Sequence, residues 1–146
     1  MIKLWPLLFL LACTPVKEEI QEGTFEGDKA AISDLMNTQQ ESWNNGDLDE
    51  FMAPYLNSKN LRFVGSSGLN KGWQKTLDNY KKSYPTTEKM GTLLFENQEF
   101  EGLGNEHFLV IGKWTLFRVS DTLSGYYSLV WKKESSGWKI IADHSS

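Results

Sequence analysis

Gly137-Trp138-Lys139-Ile140-Ile141-Ala142-Asp143-His144-Ser145-Ser146 closes the chain, and its alternation decides the fold class. Side chains along a strand point to opposite faces with period two. Trp138, Ile140, Ala142 and His144 are therefore expected on one face, and Lys139, Ile141 and Asp143 on the other, more polar and outward. Three similar runs precede it at 92–100, 106–119 and 125–133, all rich in β-branched and aromatic residues. Gly102 and Gly104, the segment 121–125 and the segment 134–137 separate the four at hairpin intervals, as in an antiparallel meander.

Upstream the period is helical. Ile32, Leu35, Met36, Gln39 and Trp43 form one stripe over residues 28–45, with Asp28 as N-cap and Asn44-Asn45-Gly46 as the stop. Asp47-Leu48-Asp49-Glu50 has capping-box spacing and opens a short second helix, which Pro54 limits. Leu61-Arg62-Phe63-Val64 reads as a short strand stopped by Gly65-Ser66-Ser67-Gly68. Trp73, Leu77, Tyr80 and Tyr84 mark a third helix over 71–84, ended by Pro85. Helices first and a meander afterwards predict an α+β domain, three N-terminal helices packed on a strongly bent antiparallel sheet.

The amino terminus predicts export. Residues 1–12 carry Lys3, an apolar run from Leu4 to Leu11 and the small Ala12, the order of a secretory signal. The run is too short for a spanning helix, which needs about 20 apolar residues. With Cys13, the one cysteine, it resembles the lipobox of bacterial lipoproteins, in which that cysteine is acylated. Residues 13–27 read as an acidic tether and 28–146 as the domain. The expected location is the cell envelope of a bacterium, lipid-anchored to the outer membrane at its periplasmic or surface face.

The formal charge is −4, and the tether region holds much of the acid: Glu18, Glu19, Glu22, Glu26 and Asp28 against Lys17. A nearly neutral domain without a basic run argues against nucleic acid as a partner. His107 and His144 are too few for a zinc site, so no metal is expected. Gly65-Ser66-Ser67-Gly68 lacks a nucleophile elbow, and neither a phosphate loop nor a dinucleotide fingerprint occurs, so no cofactor is implied.

Phe108, Val110, Gly112, Trp114, Leu116 and Arg118 share one parity, as do Tyr127, Leu129 and Trp131. Arg118 and His144 stand at the polar ends of apolar faces, as the rim or floor of a pocket would. On the opposite parity, Leu109, Ile111, Thr115 and Phe117 make an outer face apolar enough to predict a homodimer through the sheet.

Trp43-Asn44-Asn45-Gly46-Asp47-Leu48-Asp49, Tyr55, Gly112-Lys113-Trp114, the run 125–133 and the closing Trp-x-Ile-x-x-Asp-His-Ser block together resemble the nuclear transport factor 2-like superfamily, and within it the SnoaL-like domains of unknown function. The resemblance implies a cone: a bent sheet wrapped around helices, with a cavity at its open end and often a dimer. It implies no single reaction, because the superfamily holds isomerases, cyclases, dehydratases and assembly domains. Its enzymes typically use a cavity carboxylate or an Asp–His pair.

The expected function is binding of a small, mainly apolar molecule. Trp43, Trp73 and Trp114 would be walls, Arg118 would meet an acidic group, and Tyr55, Tyr127 and His144 would supply hydrogen bonds. The alternatives are an isomerase, cyclase or hydrolase using His144, and a protein-interaction module with a filled cavity.

Overall fold

Runs of alternating large apolar residues pair into the expected meander. The computed structural model describes residues 22–146, with side chains from residue 25 onward. In chain order the elements are α1 (Glu22–Asn44), α2 (Leu48–Phe51), β1 (Arg62–Gly65), β2 (Gly68–Lys71), α3 (Trp73–Ser83), α4 (Thr87–Met90), β3 (Thr92–Gly102), β4 (His107–Phe117), β5 (Thr122–Glu134) and β6 (Gly137–Ser145). The sheet order is β2-β1-β6-β5-β4-β3. The signal at 1–12, Cys13 and most of the tether lie outside the described residues.

Three features differ from the sequence expectation. First, α1 begins at Glu22, so residues 22–27 are helical and Asp28 lies inside the helix. Tertiary packing outweighs the local capping signal. Phe25 stacks on Phe108 of β4 at 5.2 Å, and the Asp28 carboxylate accepts from Lys133 Nζ at 2.8 Å and from Trp138 Nε1 at 3.2 Å. Second, Gly65 ends β1 as expected, but Gly68 opens a further strand. The two glycines pair across Ser66-Ser67, so β1 and β2 form a hairpin, and the positive φ of +92° falls on Gly68, after the turn, and on neither serine. β1 joins β6 in parallel, which makes the sheet mixed. Third, the described residues form four helices: Thr86 caps α4 by accepting from the Lys89 backbone N–H at 3.3 Å.

Helices and sheet enclose one core. Ile32 and Met36 of α1, Met52, Leu61, Val110, Trp131 and Ile140 have essentially no exposure. Gly112 is required by a close approach. A Cβ there would meet the Tyr127 phenol on the neighbouring strand and the Glu96 carbonyl; the phenol crosses this spot to donate to Asn97 Oδ1 at 2.7 Å.

At one edge of the sheet, α1 supplies what a seventh strand would. Asn44 Oδ1 accepts from the Leu93 backbone N–H at 2.7 Å, while its Nδ2 donates to the Leu93 carbonyl at 3.1 Å. One helical turn earlier, Gln40 Oε1 accepts from the Phe95 N–H at 2.6 Å. Covering unpaired edge groups in this way removes a template for strand addition. Asn44→Ala should leave the Leu93 pair unmet and cost about 1–3 kcal/mol, read as a lower urea midpoint with an unchanged m-value. Unaltered stability would show that water replaces the amide at no cost.

Candidate functional site

The alternation of β6 breaks at Ile141. Val130 of β5 faces Ala142 and Trp131 faces Ile140, so Ile141 has no partner. One extra residue on a strand is a β-bulge, which reverses the facing of everything beyond it and bends the strand. Trp138 and Ile140 point inward as expected, but past the bulge Asp143 is buried and His144 is exposed. The expected facing of Ala142, Asp143 and His144 is thus inverted. In register, Asp143 lies opposite Leu129 on β5 and Phe63 on β1, both on inward-facing positions.

Asp143 is 4% exposed and is the one carboxyl among the buried polar side chains of the described residues. Tyr55 donates its hydroxyl to Oδ2 at 2.6 Å and Ser145 donates to Oδ1 at 2.6 Å. Tyr55 is positioned by backbone: its bridge to Ile140 and the Leu56 N–H to Ile140 carbonyl bond of 2.9 Å fasten the α2–β1 connection to β6. Burial pushes the Asp143 carboxyl above the ordinary aspartate range, while Ser145, Tyr55 and neighbouring His144 pull it down. Among the described residues no lysine or arginine acts on it. Burial, and then the Asp143 charge, hold the Tyr55 and Tyr80 phenols well above their usual range. Tyr127 is raised by the same two causes in the same order.

Aromatic rings pack in front of this carboxyl. Tyr80 of α3 meets Phe63 at 5.7 Å and Phe51 at 5.3 Å edge-on, and Trp43 meets Tyr84 at 4.9 Å, spacings that favour ring quadrupoles. Four expected site residues therefore converge on one interior: Trp43, Tyr55 and Tyr127 are buried, and Trp114 is half-buried on the inner parity of β4. The Trp114 indole N–H is buried without a partner. Trp73 sits apart, its Nε1 donating to the Met52 carbonyl at 2.9 Å. It lines an open groove of about 340 Å³ with Leu56, Asn57 and Lys139.

Arg118 and His144 do not meet. The guanidinium of Arg118 makes a two-pronged pair with Asp121, Nε and Nη2 each 2.6 Å from a carboxylate oxygen, beside a cleft of about 170 Å³ shared with Glu88 and Lys89. His144 lies opposite Ser128, whose other neighbour is Ile111. Arg118, just past the end of β4, is seven residue steps from Ile111, roughly 23 Å at strand rise. The acid-binding role expected of Arg118 is taken by Asp121 from its own hairpin, and the bulge removes His144 from the interior. Unbroken alternation through Ile141 points Asp143 outward, and only the bulge brings it into the interior. The signal available was Ile140-Ile141-Ala142, three apolar residues in a row where a half-buried strand should alternate.

Among the described residues no three His, Cys, Asp or Glu side chains are grouped to hold a metal ion, and no helix is long and apolar enough to cross a membrane.

No protein-family model and no curated protein matches the chain. Solved structures do. An NTF-2 like protein of unknown function from Shewanella oneidensis MR-1 is 38% identical, with TM-score 0.78, covering 81% of this chain and 98% of that one. A nuclear transport factor 2-like superfamily protein from Salmonella enterica serovar Typhimurium LT2 is 19% identical with TM-score 0.67, covering 83% and 91%. An NTF2-like protein of unknown function from Pseudomonas putida KT2440 is 14% identical with TM-score 0.66, covering 83% and 87%. The last two bear on the fold alone.

Because the folded carboxyl of Asp143 titrates above its unfolded value of 3.8, the native state holds that proton more tightly. Stability therefore rises as pH falls from the folded value towards the unfolded one, and the burial penalty is fully present above the folded value. Asp143→Asn should unfold at an equal or higher urea concentration at pH 7 and lose this acid-range gain. Tyr55→Phe should move the carboxyl titration, followed by carbon NMR, further upward and cost about 1.5–3 kcal/mol, the range for a hydrogen bond to a charged group. An Asp143 titration at or below the ordinary value would contradict the buried placement.

Proposed function

The chain belongs to the nuclear transport factor 2-like family, and on that premise we propose that it is an exported, lipid-anchored domain whose cone binds a small, mainly apolar molecule. One observation carries this reading: a buried carboxyl, held by two hydroxyls, stands among aromatic side chains with no described lysine or arginine acting on it. Such a group costs stability where a core residue would add it, and convergent polar groups in an apolar interior are what ligand sites show. The carboxylate would accept from a ligand donor, and the unpartnered Trp114 N–H would serve a ligand acceptor. Arg118, already paired, contributes no free charge, so an acidic ligand is disfavoured.

The SnoaL-like likeness and the acid–base habits of its enzymes favour a second reading, an isomerase or cyclase. Its proton-transfer group would be Asp143 rather than the exposed His144. Turnover lost in Asp143→Asn with binding retained would separate it from simple binding.

Anchoring rests on the order of Lys3, the apolar run, Ala12 and Cys13. A fatty-acid probe fed to expressing bacteria should label the chain and not Cys13→Ser; equal labelling of both would refute the anchor. Pairing of two copies through the sheet is supported by Leu94, Phe117 and Tyr126, 40%, 49% and 56% exposed on its outer face. Native mass spectrometry of the chain purified from bacteria should report a dimer carrying a retained small molecule. A ligand-free species that takes up no compound from an extract of the same cells would count against the binding reading.

A further inference from the structure

The charge balance around Asp143 narrows the ligand class, an inference that rests on the binding reading above. Each carboxylate oxygen already accepts one hydroxyl, from Tyr55 or Ser145, and each retains acceptor capacity. Both hydroxyls are neutral, and no described lysine or arginine is among the groups acting on the carboxyl. The one basic side chain that does act on it, His144, is exposed beyond the bulge and outside the interior.

The surroundings are aromatic rings. Phe63 lies in register beside Asp143, its ring against Tyr80. Tyr80 and Tyr84 pack 6.2 Å apart, and Trp43 meets both. Ring faces attract cations, most strongly where water is excluded. A carboxylate at the base of an aromatic box repels anions, leaves a neutral donor with only a hydrogen bond, and gives an ammonium both ion pairing and ring contact. We infer that the cone accepts an organic ammonium, its charged head on Asp143 and its apolar body among the rings of Phe63, Tyr80 and Tyr84.

Tyr80 stands in the way and is also the side chain best placed to move. It is half-buried on α3, a helix whose N-cap is Gly72, with no side-chain cap. An exposed ion pair, Lys81 to Asp49 at 2.8 Å, ties the far end of that helix. In this arrangement Tyr80 acts as an internal cover over the carboxyl, and a ligand enters by displacing its ring.

Three probes of one shape and different charge test the inference: benzylamine, benzyl alcohol and benzoate, titrated into the purified full chain at pH 7. Shifts of the tyrosine ring resonances in NMR report both affinity and location. The amine should bind at least tenfold more tightly than the alcohol, and benzoate should leave the spectrum unchanged. Asp143→Asn should bring the amine to the level of the alcohol while the alcohol is unaffected. Should that variant fail to fold, the wild-type ranking decides by itself. An alcohol that binds as tightly as the amine, or an amine indifferent to Asp143→Asn, overturns the ammonium assignment and leaves the pocket standing. If none of the three moves the tyrosine resonances, and Tyr80→Ala (which removes the cover) binds none either, the pocket reading falls as well.

Discussion

The hydrogen bond from Tyr55 to Asp143 joins segments 88 residues apart in sequence, and much of the molecule is arranged so that it can form. Tyr55 must leave α2 at a fixed angle, which Pro54 and the bridge to Ile140 enforce. Asp143 must face inward, which the extra residue at Ile141 enforces. A carboxyl without donors in this interior would be too costly to retain, by several kcal/mol in ordinary cases. With Tyr55 and Ser145 in place the burial is tolerable, though still unfavourable enough to raise the carboxyl's affinity for a proton.

That residual penalty separates a functional interpretation from a structural one. Gln39, also buried, donates to the Phe51 carbonyl at 3.0 Å and ties α1 to α2. A neutral amide in that position fastens helices together and leaves no charge to satisfy. Asp143 could have been an asparagine with the same shape. The charge is an extra cost, and the described interior offers it aromatic rings and hydroxyls but no lysine or arginine. Compensation by something from outside is the simplest physical account.

Elements that depend on local pattern were legible in the sequence. The meander runs from 92 to 145 as the alternation predicts, and the stripe from Ile32 to Trp43 lies on the buried side of α1. Features that depend on long-range pairing were not. Nothing local to Phe25 shows that it will stack on Phe108 and prolong the helix. Nothing in Gly65-Ser66-Ser67-Gly68 distinguishes a strand end from a hairpin turn, because both use the same residues. The site failed to emerge for one reason, the bulge. Parity is a count, and a single uncounted residue exchanged Asp143 for His144. Arg118 was a different kind of miss: its position at the end of β4 was right, but its partner Asp121 lies three residues on, across a turn that an alternation pattern does not describe.

The account stands on the facing of two adjacent residues, and thiol accessibility measures it directly. In a chain carrying Cys13→Ser, a cysteine is introduced in turn by Asp143→Cys and by His144→Cys, and each variant is treated with a maleimide under native conditions. A bulge at Ile141 predicts rapid labelling of His144→Cys and protection of Asp143→Cys until denaturant is added. The reverse order, with Asp143→Cys labelled first in a folded protein, would mean that β6 alternates without interruption and that the carboxyl faces solvent.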